Sequence, residues 1–316
     1  MICRRLSPPV KSLGLRIASL AIGFFGWFTR PFAYRGLSRV ASIVAWCYSQ
    51  PAPKVGVTVA EDTIFAISLD DGYWSRLISA GYVYEPEIEA LCRRLTDIDF
   101  TFFDFGANKG YWTLLMSGKE MGYRPVVAVE PHPNTFALLQ ENVAANARDV
   151  TLICAAISSN ANSSVSFYDR GDHSGATLEL SWNHHPNSSL TQYTVSTTTI
   201  DQVCMNHVRP DKPCILKIDI EGHELAALKG AVSTLATSPL IIYEEHGATR
   251  DAELSRYIRD TLGLHVFFID DLGLVHEIHD DAGVTDKKNN RKKGYNFCAC
   301  SSESVFFPKL VTKRHG

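Results

Sequence analysis

A doubly wound, mostly parallel α/β fold is predicted by three features of the sequence. Apolar runs of strand length alternate with segments of helical periodicity from about residue 85 to about residue 300. Several of those runs end in a glycine-rich or acidic segment that opens a helix, where α/β sheets place their ligands. With 316 residues, 45% of them hydrophobic and 21% charged, the chain can bury a real core without disulfide staples.

The elements follow in order. Residues 55–69 are rich in β-branched side chains and broken by Glu61-Asp62, which predicts two strands and a turn; Asp70-Asp71-Gly72 is a second turn. Residues 85–95 (EPEIEALCRRL) carry acids first and arginines last on a helical repeat, matching the helix dipole. Strands are predicted at 100–105, 126–129, 150–157, 214–218, 240–243 and 265–269, and the last apolar run is 295–300. Helices are predicted at 111–116, 134–146, 224–235 and 252–262. The stretch 158–189 is polar, with one strand at 165–168 and a long loop. These boundaries give an N-terminal arm over 1–53, a small β extension over 54–83 and a core domain over 84–316.

Charge is uneven. The first 60 residues hold eight basic side chains (Arg4, Arg5, Lys11, Arg16, Arg30, Arg35, Arg39, Lys54) and no acid, so the rest carries −11 of an overall −3. An acidic body repels phosphate, which argues against a nucleic-acid partner. Residues 13–28 (LGLRIASLAIGFFGWF) are apolar, but short for a bilayer span and interrupted by Arg16. Residues 35–50 repeat Leu37, Val40, Ile43, Val44 and Cys47 at helical spacing. One reading is a helical cap on the core domain. A second is a basic amphipathic arm, with Trp27, Phe28 and Trp46, in peripheral contact with an anionic membrane. A third is an anchor or an uncleaved signal. The eight cysteines form no C-x-x-C pair and read as reduced thiols, which places the protein in the cytoplasm or at the inner face of its membrane.

Three segments carry the chemistry. The first is Asp104-Phe105-Gly106-Ala107-Asn108-Lys109-Gly110, a D-x-G-x-N-x-G loop between a buried strand and a helix, where glycine lets backbone approach a ligand. The second is Val129-Glu130-Pro131. Glu130 ends the next strand 20 residues after Gly110, where an acid can accept ribose hydroxyls. That placement also suits a dinucleotide. The leading Asp104, however, suits the ammonium of a methionine moiety and would repel a pyrophosphate. The third is Lys217-Ile218-Asp219-Ile220-Glu221-Gly222-His223-Glu224. Extended, it would put Asp219, Glu221 and His223 on one face; otherwise these groups cap the following helix. Glu244-Glu245-His246 ends the next strand at the same sheet edge.

Taken together, YEPEIEALCRRL (84–95), FFDFGANKGYWTLL (102–115), VEPHP (129–133), TTTID (197–201) and LKIDIEGHELAALKGA (216–231) resemble the FkbM family of methyltransferases over roughly 55–301. The resemblance implies a Rossmann-like, seven-stranded sheet of the class I methyltransferase type, S-adenosyl-L-methionine as donor and an oxygen acceptor. It implies that Asp104, Gly106, Asn108 and Gly110 form the cofactor loop, that Glu130 holds the ribose, and that Asp219 faces the transfer site. An alcohol acceptor also needs a general base. His223 leads Asp219 for that role because imidazole titrates near neutrality, with Glu221 orienting it. No metal is assigned; Asp219, Glu221 and Glu244 or His246 holding a divalent ion is the minority alternative. The acceptor is a small molecule or a glycan, with a sugar hydroxyl ahead of a secondary metabolite. N-methylation of an amine or protein, a nicotinamide oxidoreductase and a non-catalytic binding module are the other readings.

Overall fold

A computed structural model describes residues 13–30, 34, 36–48, 52–79, 81–169, 191–207, 212–245, 252–288 and 295–311. Contacts divide the chain into two units, 1–84 with 141–148, and 85–140 with 149–316.

The first unit holds helices α1 (Leu13–Thr29) and α2 (Leu37–Tyr48) and an antiparallel pair, β1 (Lys54–Ala60) and β2 (Thr63–Ser68). Val55 and Val57 on β1 and Phe65 and Ile67 on β2 alternate into its core. Two asparagines one helical turn apart serve the outer edge of β2. Asn142 accepts from the Ala66 amide at 2.9 Å and Asn146 from the Ile64 amide at 2.8 Å. Each also donates back to the same residue's carbonyl. Backbone groups that an edge strand would leave bare are thereby satisfied.

In the second unit, α3 (Pro86–Arg94) leads into β3 (Thr101–Phe105), α4 (Tyr111–Met116), β4 (Val126–Val129), α5 (Pro133–Ala145, of which residues 141–145 belong to the first unit) and β5 (Thr151–Ile153). Then come β6 (Ala156–Ile157), β7 (Ser164–Asp169), β8 (Thr191–Thr198), α6 (Ile200–His207), β9 (Cys214–Ile218), α7 (Glu224–Lys229), α8 (Val232–Leu235) and β10 (Leu240–Glu244). The chain closes with α9 (Glu253–Arg256), β11 (His265–Ile269), β12 (Val275–Ile278), α10 (Asp281–Lys288), β13 (Asn296–Cys300) and α11 (Phe307–Val311).

The main sheet runs β12-β11-β13-β10-β9-β3-β4-β5. Its five strands from β10 to β5 are parallel, and β13, β11 and β12 pair antiparallel. From β3 the chain moves outward through β4 to β5, then returns to build β9 and β10 on the other side. The switch of direction lies between β3 and β9, and a crevice beyond their carboxyl ends is where such sheets bind ligands. Strands β3, β4, β9 and β13 are buried at every position, as central strands with both faces covered must be.

The expected Rossmann-like α/β fold is present, with eight strands in the main sheet where seven were expected. The additional strand is β12, joined to β11 by a tight turn in which Asp270 accepts from the Leu272 and Leu274 amides, both at 2.9 Å. Three predicted elements are split. Residues 150–157 form two strands because β5 pairs with β4 whereas β6 pairs with β8 in a separate sheet, β6-β8-β7. The helix expected over 224–235 stops at Gly230 and restarts as α8. That expected over 252–262 is α9 continued by a π-helical turn, Tyr257–Thr261. All seven cysteines among the described residues are free thiols, and no helix of the described residues is long and apolar enough to cross a membrane.

Candidate active site

The glycine loop leads from β3 into α4 and passes against the chain just beyond the end of β9. Gly106 has φ +84°, and a Cβ there would lie 1.8 Å from the Asp219 carbonyl oxygen. Only glycine lets the two strand ends approach this closely. Asn108 also has positive φ, at 50°, and Gly110, at 91°, caps α4.

Asp104 is 1% exposed. One carboxylate oxygen accepts from the Thr113 hydroxyl at 2.6 Å, and the other has no hydrogen-bond partner. An orphaned, buried carboxylate oxygen is costly unless a ligand donates to it. Burial raises its pKa against the pull of the Lys217 ammonium, which sits opposite Asp104 in the β3–β9 register. Glu130 accepts from the Asn108 amide and the His132 amide, both at 2.9 Å, so it ties the loop to the end of β4. Burial pushes its carboxyl up to about 7 despite those two donors.

Lys217 and Asp219 lie one pleat apart, and the Lys217 ammonium contacts the Asp219 carboxylate at 2.8 Å. Burial pulls the ammonium down, but Asp219, Glu85 and Asp104 together outweigh it and hold it above the ordinary lysine value. The Asp219, Glu244 and Glu85 carboxylates present oxygens within 4.8 Å of one another, and all three side chains are half-buried. These three side chains are more exposed than Asp104 and Lys217, which are 1% and 3% exposed.

Glu85 was not among the candidate residues read from the sequence, where its position marks only the start of a helix. It precedes Pro86 yet has φ 41° and ψ 60°, far from the extended conformation a residue before proline prefers. Its carboxylate accepts from the Trp112 indole at 2.6 Å and the Asn296 amide at 3.3 Å. Burial and the Asp219 charge raise its pKa to about 7, while Lys217 and Trp112 oppose them. A motif search cannot find it, because its partners lie on α4, β9, β10 and β13.

The segment after β9 is not extended, so Asp219, Glu221 and His223 do not share a strand face as the alternation suggested. Glu221 has φ 53° and Gly222 φ 96°, which makes a turn. Glu224 holds that turn by accepting from the Ile220 and Gly222 amides at 3.1 and 3.2 Å. His223 caps α7, and neither it nor Glu221 belongs to the carboxylate cluster. Glu245 is buried and accepts from the Ser255 amide at 2.8 Å at the start of α9. His246 lies outside the described residues.

A glycine loop at the switch point of a doubly wound sheet, with acids at the ends of successive strands, is the arrangement in which α/β proteins hold nucleotide-type cofactors. The particular assignment comes from sequence. Residues 104–273, more than half of the chain, match the Methyltransferase FkbM domain, and the chain belongs to the FkbM methyltransferase family. It is 27% identical over 176 residues to the hexuronic acid methyltransferase AglP of Haloferax volcanii, a match covering 56% of this chain and 68% of that protein. The crystal structure of methyltransferase FkbM from Methylobacillus flagellatus overlaps with a TM-score of 0.39 at 18% identity, over 64% of this chain and 43% of that one, less than half its length. A SAM-dependent methyltransferase from Agrobacterium tumefaciens overlaps with a TM-score of 0.41 at 8% identity, over 80% of this chain and 72% of that one. Family membership rests on the sequence match and not on these overlaps.

Proposed function

We propose that the chain transfers a methyl group from S-adenosyl-L-methionine to a hydroxyl oxygen of a sugar, in a glycan or glycolipid. The observation that carries this reading is the meeting of two devices at one sheet edge, an acid-led glycine loop and a half-buried carboxylate cluster. The donor is a cation with an ammonium and ribose hydroxyls, and the residues present suit it. The free oxygen of buried Asp104 suits the ammonium, Glu130 the hydroxyls, and Gly106, Asn108 and Gly110 the close backbone approach. When bound, S-adenosyl-L-methionine supplies a methyl group already activated by its sulfonium.

The protein's own contribution is alignment, which can supply about 7–11 kcal/mol, and removal of the acceptor's proton. Asp219, fixed by Lys217, orients the acceptor hydroxyl, with Glu244 beside it. Glu85 takes the proton, because a base titrating near neutrality combines ionisation with basicity. His223 leads that assignment from sequence, with Glu221 orienting it; we place the role on Glu85 instead, a reading supported by its proximity to Asp219 and Glu244. The sugar acceptor is supported by the hexuronic acid methyltransferase relative. Within this reading the protein works on the cytoplasmic side, with no nucleic-acid partner.

Incubation with methyl-labelled donor and oligosaccharide acceptors, including uronic-acid-containing ones, should place label on a sugar as an alkali-stable ether. Label released by mild alkali would indicate a carboxylate ester, and label on an amine or protein would indicate nitrogen transfer. Either result overturns the hydroxyl reading.

A further inference from the structure

Helix α1 is packed inside out. Among the residues of α1 whose burial is described, the buried ones are small, Ala18, Ser19, Gly26 and Thr29, with Ile22 as the one bulky exception. Contact there is close enough that a Cβ on Gly26 would lie 1.7 Å from the Ser79 hydroxyl. The opposite stripe displays Ile17, Leu20, Phe24, Trp27 and Phe28, each 58–69% exposed. Helix α2 buries Leu37 and Ala41, and its Ile43 and Trp46 extend the outward apolar surface at 63% and 72% exposed. Every exposed Phe or Trp among the described residues lies on these two helices.

A water-soluble helix puts its large apolar side chains inward. The reverse order, small residues against neighbouring protein and large ones outward, is the pattern of helices whose surroundings are hydrocarbon. A contiguous exposed apolar patch marks an interaction surface. Its charge indicates the kind of partner. The first 60 residues carry eight Lys and Arg and no acid, and Arg30, just past α1, and Arg39, on α2, are exposed. At 17 residues, α1 is about 26 Å long, shorter than the roughly 30 Å hydrocarbon core. Insertion along the interface suits that length, with Trp and Phe at headgroup depth and basic groups toward anionic lipid.

We propose that α1 and α2 seat the protein on the surface of an anionic lipid bilayer through Ile17, Leu20, Phe24, Trp27, Phe28, Ile43 and Trp46. This inference does not depend on the methyl-transfer reading. The full chain should float with vesicles containing phosphatidylserine and much less with pure phosphatidylcholine vesicles, and high salt should weaken the binding. The double substitution Phe24→Glu and Trp27→Glu should lower partitioning at least about tenfold. Independently of that variant's folding, bromine-labelled lipid should quench tryptophan emission of the native chain, and Trp27→Phe with Trp46→Phe should remove most of the quenching. Failure to float on anionic vesicles, equal flotation of the glutamate variant, or quenching that survives loss of both tryptophans would overturn the proposal. So would a dimer in lipid-free solution that the glutamate variant dissociates, since the occupant would then be a second copy of the chain.

Discussion

Replacing Glu85 by glutamine should lower methyl transfer by about 10²–10⁴-fold at saturating donor and acceptor, the usual contribution of a general base. The residue is held by Trp112 and Asn296 in a left-handed backbone conformation, so its position does not depend on its charge. Such conformations cost of order 1–3 kcal/mol and persist where the surroundings over-determine them, often at functional sites. The wild-type rate should rise with pH to a plateau above about 7, because the carboxylate form accepts the proton and burial holds the group near that value. In Glu85→Gln that rise should vanish, while binding of S-adenosylhomocysteine changes little. His223→Gln, measured beside it, settles which residue is the base. A larger loss for His223→Gln, with the pH-dependent rise intact in Glu85→Gln, would return the role to the histidine.

The second large effect is expected from Gly106→Ala. Its positive φ alone costs a side chain about 1–2 kcal/mol. The added carbon would also collide with the Asp219 carbonyl oxygen, and relieving such a contact in a packed site costs about 1–3 kcal/mol more. Backbone on both sides of the switch point must move, so one methyl group displaces the cofactor loop and Asp219 together. Urea unfolding should show a loss of about 2–5 kcal/mol with unchanged slope, and donor binding should disappear. Full binding with native stability would mean that the β3 and β9 ends do not meet as described.

What the sequence made legible was local. The loop from Asp104 to Gly110, the acid at 130 and the charged end of β9 each sit where a strand gives way to a helix, so periodicity and turn residues mark them. The antiparallel insertion of β13 between β10 and β11 leaves no trace in periodicity, because it is decided by pairing between distant segments. Strand β8 (TQYTVSTT) was missed because its polar side chains suit an exposed sheet and mimic a loop. Strand β12 is short and mostly exposed for a related reason. Glu85 escaped because only contacts with residues far along the chain set it apart. The alternation of Asp219, Glu221 and His223 misled because side chains share a face only in extended backbone, and Gly222 turns the chain there.

The central claim is that the switch-point crevice binds an adenosyl sulfonium or its demethylated product. Titration calorimetry with S-adenosylhomocysteine tests it most directly, run at about pH 6 and about pH 8. Burial raises Glu130 from an ordinary 4.5 to about 7. In the free protein that shift favours folding fully below the unfolded value, and the contribution is lost as pH rises through about 7. Ligand binding has the opposite sign, since ribose hydroxyls donate to the ionised form. The expected result is single-site binding that is about tenfold weaker at the lower pH in the native chain, and nearly independent of pH in Glu130→Gln. No heat at either pH, from protein shown to be folded, would contradict it.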